Sequence, residues 1–340
     1  MLKILLIGPN FHYFNQSIER GLRANGCEVE IEEYDDPIHP YNALNKVRYK
    51  LAKDKENLKQ QSRKAWKQYI EARWDDTKPD IVLIVNGSNL LPKSVELFKT
   101  KSKVVFWMFD SITHFKYSLN ILKYADKVFC SEKGDIPILN DKLSIEAEFL
   151  SQAVDTNLYF PLKSEKKYDI VFAGNIYQSK KRQRLLNAVI EAFPDKKICF
   201  YGLTTPWYKS LWKWLTRKNR DIFTNRNGSA ETLNKLYNES KVVLNIHHEQ
   251  QTDGATPKVY EIAATGAYEI CDRNAYIESL FPNGEIALYS NEKELIACIT
   301  HALQSNELNG KDGLNGNEAM EIVRKSHSFE VRMKEMLDKL

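Results

Sequence analysis

The chain has no long apolar run. Nothing in its 340 residues approaches the roughly 18 to 20 uninterrupted apolar residues that cross a bilayer. The opening apolar segment meets Gly8 and Pro9 too soon to act as a signal peptide. An excess of one charge is missing too, since 49 Lys and Arg against 45 Asp and Glu leave a net +4. A dedicated nucleic-acid binder concentrates far more positive charge, so that class is set aside. The five cysteines (Cys27, Cys130, Cys199, Cys271 and Cys298) are an odd number, widely spaced, with no C-x-x-C pair. Reduced, buried thiols and a cytoplasmic location are the expectation. No repeat of solenoid period and no low-complexity tract occurs. The turn after the first apolar run lacks the full G-x-G-x-x-G pattern, which leaves a dinucleotide cofactor without support.

What is present is an ordinary globular composition, 43% hydrophobic and 28% charged, in a length that predicts two domains. Short apolar runs alternate with longer amphipathic stretches, the signature of parallel α/β layering. Runs at 3–7, 27–31, 80–85, 104–109 and 127–130 predict the strands of a first sheet, and 15–25 predicts a helix closed by Gly26. A charged stretch at 163–169 has the character of a domain linker. Runs at 170–173, 197–201, 241–246, 268–271 and 286–289 then predict a second sheet. The expected fold is α/β, with two Rossmann-like doubly wound domains facing across a cleft. The expected boundaries are 1–160 and 161–324, with 325–340 a C-terminal helix packing back on the first domain. Ligands of such folds sit beyond the C-terminal ends of the strands.

Two segments break the rhythm. Residues 46–73 read as one long helix dense in Lys and Arg, with Trp66 and Tyr69 inside it and Trp74 at its end. Residues 206–220 place Trp207, Trp212 and Trp214 among basic residues. Such segments either pack their aromatics inward or, at 206–220, lie in a membrane interface with cations toward anionic headgroups.

The most informative stretch runs from Leu244 to Asp272. A strand ends at Ile246, a polar loop follows through Gly254, and Thr256-Pro257 opens a helix that Gly266 closes. A glycine loop feeding a helix N-terminus is an anion site suited to a diphosphate. Lys258 on the first turn adds charge there or stays at the surface. Glu261, one turn in, either accepts hydrogen bonds from the vicinal hydroxyls of a ribose or is an exposed helix glutamate. A second constellation starts at Phe172-Ala173-Gly174-Asn175 and leads into a helix carrying Lys180, Lys181, Arg182 and Arg184. One of these cations pairs with a diphosphate in this reading. A basic first turn opposes the helix dipole and requires a compensating anion. His247-His248 sits at the functional edge, but no third ligand stands at metal spacing, so no metal site is expected. In the first half, Asp110, with Ser111 and His114, ends a strand where a carboxylate acts as general base, positions an acceptor hydroxyl, or caps a helix.

The order "FAGN…R-x-R-LL", "KVVLNIH" and "GATPKVYEIAATGA" resembles the C-terminal half of CgeB-like glycosyltransferases of GT-B fold. "KPDIVLIVNG", the "WMFD" strand and "SQAVDTNLYFP" are similar to their N-terminal half and linker, so the resemblance covers most of the chain. Lys258 stands where Arg is usual, Tyr260 where Phe is usual, and Asp253 where related enzymes carry the first of two glutamates eight apart. The resemblance implies a metal-independent hexosyl or related transfer from a nucleotide-diphosphate sugar to a hydroxyl acceptor, in surface polysaccharide or glycoconjugate synthesis. A nucleotide-sugar epimerase of the same fold and a non-catalytic binding or morphogenetic relative are the alternatives. The implied donor site comprises Gly174, Asn175, Arg182, Gly202, His247, Gly254, Ala255, Thr256, Lys258 and Glu261. Asp110, His12 and Asp253 are the implied catalytic residues, and Gly8, Asn10 and His114 the implied acceptor site. No cofactor and no D-x-D metal signature is expected. The acceptor is a saccharide or lipid-linked, and Trp207, Trp212, Trp214 and nearby cations imply peripheral contact with the inner face of the membrane.

Overall fold

A computed structural model describes residues 1–10, 13–34, 43–114, 119–203, 222–224, 226–249, 251, 253–309 and 314–340. The chain divides into two compact units, one of residues 1–151 and 329–340, the other of residues 152–328.

The first unit is a six-stranded sheet of β1 (Lys3–Pro9), β2 (Glu28–Tyr34), β3 (Ile81–Val85), β4 (Lys103–Met108), β5 (Lys127–Cys130) and β6 (Ala147–Phe149), in the order β2-β1-β3-β4-β5-β6. Every pairing is parallel. β3 is buried at all five positions, as a strand covered on both faces must be. β2 lies at the edge and places Glu30 and Glu32 on Arg73, both at 2.5 Å. Helix α1 (Phe14–Ala24) packs on α11 (Phe329–Asp338), the last helix. A Cβ on Gly21 would stand 2.6 Å from the Phe329 carbonyl, so the two backbones touch through the glycine.

The long basic pattern at 46–73 is two helices, α2 (Ala43–Leu51) and α3 (Lys55–Thr77). Asp54 breaks it by accepting from Asn57 N at 3.0 Å, which caps a new helix start. Trp66, Ile70 and Trp74 follow at intervals of four and are buried in the first unit's core. Trp74 Nε1 donates to Ser102 Oγ at 2.9 Å. The two tryptophans of this segment are thus core, whereas Tyr69 is exposed and donates to Glu32 Oε2 at 2.8 Å. Residues 206–220, with their three tryptophans, lie outside the described residues. Helix α4 (Pro92–Phe98) completes this unit's longer helices among the described residues.

The second unit is a five-stranded sheet of β7 (Tyr168–Ala173), β8 (Ile198–Tyr201), β9 (Ser240–Asn245), β10 (Tyr268–Asp272) and β11 (Ala287–Tyr289), in the order β11-β10-β9-β7-β8 and again parallel. Around it lie α5 (Lys180–Ala192), α6 (Ala230–Asn238), α7 (Pro257–Ala264), α8 (Ala275–Leu280), α9 (Glu292–Asn309) and α10 (Asn317–Ser326). The charged stretch 163–169 is not a linker. It runs along the end of α6, where Leu162 N donates to Asn238 Oδ1 at 2.6 Å and Lys167 N to Glu239 O at 2.7 Å, and then enters β7.

All five cysteines are free thiols, four of them buried.

Candidate functional site

In the second unit the ends of β7 and β8 meet backbone to backbone. Gly174 N donates to Tyr201 O at 2.8 Å, and Ile176 N to Leu203 O at 2.9 Å. Gly202 takes φ +151°, and a Cβ there would lie 1.8 Å from the Gly174 carbonyl oxygen. Only glycine permits this approach. It leaves the peptides of residues 173–175 at the C-terminal edge of the sheet, beside the first turn of α5.

That first turn is tied down by its own cations. Arg182 Nε donates to Ile246 O at 2.8 Å and its NH1 donates to Asn175 O at 2.9 Å, so the guanidinium bridges the loops after β7 and β9. It also lies over the Phe172 ring, 5.7 Å from the centroid. Burial lowers the Arg182 pKa, while Asp272 and Glu249 act to raise it. Lys181 Nζ binds Asp272 Oδ2 at 2.5 Å. The anion that a basic first turn requires is Glu249. Its Oε2 accepts from Ser179 Oγ and its Oε1 from Lys181 N, both at 2.8 Å. Burial acts to raise its pKa, but these donors outweigh burial and hold it down at about 2. The loop after β9 therefore carries its own carboxylate to the N-terminus of α5.

Helix α7 opens as the sequence predicts, with Thr256 extended and Pro257 at the first position, but the Thr256 side chain makes no capping hydrogen bond. Gly266 closes it with φ +72°. Glu261 is not an exposed helix glutamate, being 4% exposed. Lys258, one turn before it on the same face, is half-buried. Burial lowers the Lys258 pKa, the Glu261 carboxylate opposes this, and the Arg182 charge adds to the lowering. Two helices, α5 and α7, thus each bring a half-buried cation, Arg182 and Lys258, to this unit, with the buried Glu261 carboxylate on the second helix. Gly254 and Ala255 are buried, and Gly254 O accepts from Asn274 Nδ2 at 2.9 Å. One oxygen of Asp253 accepts from Tyr276 N at 3.0 Å, at the start of α8.

His247 is buried, and Asp272 Oδ1 accepts from its main-chain N at 2.9 Å and lies 2.7 Å from its Nδ1. Among the described residues its Nε2 has no hydrogen-bond partner. Burial acts to raise the Asp272 pKa, yet the hydrogen bonds from His247 and Lys181 hold it well below the usual carboxylate range. Here the structure corrects the expectation that no third ligand stands near His247. His247, Cys271 and Asp272 offer ligand atoms within 4.8 Å of one another. Linear spacing could not reveal this, because the parallel register of β9 and β10 brings the residues together. His247 and Cys271 are buried, burial pushes the Cys271 thiol well up, and Lys181 already neutralises the carboxylate.

In the first unit the corresponding edge is built differently. Tyr34 OH donates to Val85 O at 2.9 Å and accepts from Gly87 N and Ser88 N. Asn86, at φ +58°, accepts from Phe109 N at 2.9 Å and donates Nδ2 to Asp110 Oδ2 at 2.9 Å. Asp110 is exposed and aimed by this amide. Asp135 accepts from Ser111 Oγ and Ile112 N, both at 2.9 Å. Gly8 packs on the Asn15 side chain, and Asn10 N donates to Tyr34 O at 2.9 Å. His114 ends a short 3-10 turn, Ile112–His114, whereas His12 lies outside the described residues. Tyr34 and Asn86 were missed in the sequence reading; the Asn-Gly pair at the end of β3 was their one visible signal.

Residues 180–338, from α5 to the last helix, match a family model described as glycosyl transferase-like. No curated protein matches the chain in sequence. Among solved structures the chain is similar to a sucrose-phosphate synthase from Thermosynechococcus elongatus, at 12% identity and TM-score 0.69 over 100% of this chain and 98% of that one. A glycosyltransferase from Rickettsia africae ESF-5 aligns at 13% identity and TM-score 0.68 over 99% and 97%. Anabaena Alr3699/HepE in complex with UDP-glucose aligns at 14% identity and TM-score 0.66 over the whole of both chains. The fold is GT-B, with two parallel-sheet α/β domains.

Proposed function

We propose that the protein is a glycosyltransferase of the CgeB-like kind, moving a sugar, a hexose in the first instance, from a nucleotide-diphosphate donor to a hydroxyl acceptor in polysaccharide or glycoconjugate synthesis. The observation that carries this reading is the Arg182 guanidinium anchored on Ile246 O and Asn175 O at the glycine-lined ends of β7 and β8, with the start of α7 bringing Lys258 and buried Glu261 to the same sheet edge. Half-buried cations, whose charge burial disfavours, are stabilised by an anion placed beside them. A leaving diphosphate is such an anion, and fixed cations with helix amides lower the barrier to its departure. They do so without a metal ion.

In this assignment Gly174, Asn175 and Gly202 line the diphosphate, and Gly254, Ala255 and Thr256 present the start of α7 to it. Glu261 takes the ribose hydroxyls, and Arg182 and Lys258 neutralise the charge. His247 stands behind the loop, held by Asp272. Asp253, Asp110 and His12 are assigned to catalysis, and Gly8, Asn10 and His114 to the acceptor. UDP is the first nucleotide to try, because the Alr3699/HepE structures hold UDP, UDP and glucose, and UDP-glucose. A saccharide or lipid-linked acceptor, with peripheral membrane contact through Trp207, Trp212 and Trp214, completes the proposal. Failure to bind anionic vesicles would remove the membrane part alone.

The experiment is a thermal-shift panel of UDP, GDP, TDP, CMP and their sugars, with and without EDTA, on the wild type and Glu261→Ala. One nucleoside diphosphate is expected to raise the wild-type melting temperature by about 2.7 kcal/mol of stabilisation at a hundredfold excess over its Kd, unaffected by EDTA. Glu261→Ala is expected to keep its fold and lose that shift. An equal shift in both proteins removes Glu261 from the site.

A further inference from the structure

Glu249 is a charged residue at this edge that the donor assignment leaves unused. The first turn of α5 contains no acidic residue, and Lys180, Lys181 and Arg182 all oppose the helix dipole. The missing negative charge comes from the loop between β9 and α7. Glu249 takes Ser179 Oγ on one oxygen and Lys181 N on the other. A pair of phosphate oxygens engages a helix N-terminus with the same geometry. The cradle beneath the carboxylate is fixed, because the Lys181 side chain is bound to Asp272 and the Arg182 guanidinium to Ile246 O and Asn175 O.

Glu249 supplies counter-charge to α5 but is not its N-cap. Ser179 caps it directly, accepting from Arg182 N at 3.1 Å. Glu249 itself is exposed and held by these local contacts, with His248 Nδ1 3.6 Å away. An exposed carboxylate on a rigid two-donor cradle, beside the cations assigned to a diphosphate, is placed to be exchanged for another anion.

We propose that Glu249 is a displaceable internal anion, holding the cradle of Ser179 and Lys181 when no donor is bound and giving it up to the diphosphate of a nucleotide sugar. The proposal rests on the donor reading above. Two anions cannot share the same two donors, so each binding event includes the displacement. Apparent affinity is then reduced by the fraction of molecules whose cradle is open.

Calorimetric titration of UDP into the wild type, Glu249→Gln and Glu249→Ala tests this, with melting temperatures measured before nucleotide is added. Both substitutions are expected to tighten UDP, by about tenfold if the cradle is open in a tenth of wild-type molecules. Both are also expected to lower the nucleotide-free melting temperature. These opposite signs are the signature, since a purely structural residue weakens stability and binding together. Wild-type binding with unchanged or weaker UDP affinity in both variants would overturn the latch and leave the donor reading standing. Binding by the variants alone would support the latch in its strongest form. No binding of UDP, GDP or inorganic pyrophosphate by any of the three proteins would overturn both.

Discussion

The two units share one architecture and differ at the edge where parallel α/β sheets bind ligands. In the second unit that edge is made of charges: Lys181, Arg182 and Lys258 set against Glu249, Asp272 and Glu261. In the first unit, among the described residues, it is made of hydroxyls, amides and acids: Tyr34, Asn86, Asp110, Ser111 and Asp135. The fold supplies the place and the side chains decide the chemistry. A cationic edge suits a phosphorylated ligand, while an edge of neutral donors and carboxylates suits the hydroxyls of a saccharide.

The comparison is broken most severely through its glycines. Gly202→Ala puts a Cβ 1.8 Å from a backbone oxygen, in a conformation that side chains rarely adopt, and the backbone cannot step aside. A loss of about 3 kcal/mol or more is expected, with the edge after β7 and β8 pushed open. Gly8→Ala in the first unit meets the Asn15 side-chain oxygen at 2.1 Å. That side chain can rotate, giving up its bonds to Pro9 O and Glu33, for about 1 to 2 kcal/mol. Urea unfolding of the two variants checks the order, and equal losses would show that the second edge is no more tightly built than the first.

Much of the layout was legible in the sequence. Ten of the strands were visible because β-branched runs such as Ile81–Val85 have few alternatives, and 127–130 was placed with both ends correct. The strand missed, Ala147–Phe149, is three residues long and only one of them is buried, so it carries no pattern. The single helix read at 46–73 failed because periodicity continues through a cap, and Asp54 acts by one hydrogen bond rather than by composition. At the site, the glycine loop and the start of α7 were readable because they are local in sequence. The ties of Glu249 to α5 and of Asp272 to His247 and Lys181 were not, because they join residues 25 to 91 positions apart. The need for an anion at α5 was visible in its first turn; its source was not.

A smaller effect separates the edges by pH. The Asp272 carboxylate has its pKa depressed in the fold, so its contribution is present above the ordinary aspartate value near 4 and is lost as pH falls below it. Asp272→Asn removes the bond to Lys181 and weakens the hold on His247, at an expected cost of about 2 kcal/mol at pH 7. The gap to wild type should narrow as pH falls from about 4 toward 2. A gap that stays constant through that window would mean that the carboxylate is not the group holding this edge.

The smallest effect lies on the alkaline side and belongs to the first unit. Burial pushes the Tyr34 pKa up to about 12, against the opposing influence of its hydrogen bonds with Ser88 and Gly87. For a raised pKa the contribution is complete below the ordinary tyrosine value near 10 and is lost as pH climbs toward 12. Tyr34→Phe keeps the ring in the core but removes the donor to Val85 O and the acceptor for Gly87 N and Ser88 N, at the turn where Asn86 and Gly87 both take positive φ. The expected cost is about 1 kcal/mol at pH 8. Above pH 10 the unfolded wild-type chain gains stability by ionising Tyr34, and the phenylalanine variant has no such route. The difference in urea midpoint should therefore shrink between pH 8 and pH 11, the reverse of the acid behaviour at Asp272. A difference that holds steady would place the Tyr34 hydroxyl in contact with solvent and assign the Asn86–Gly87 turn to its own backbone.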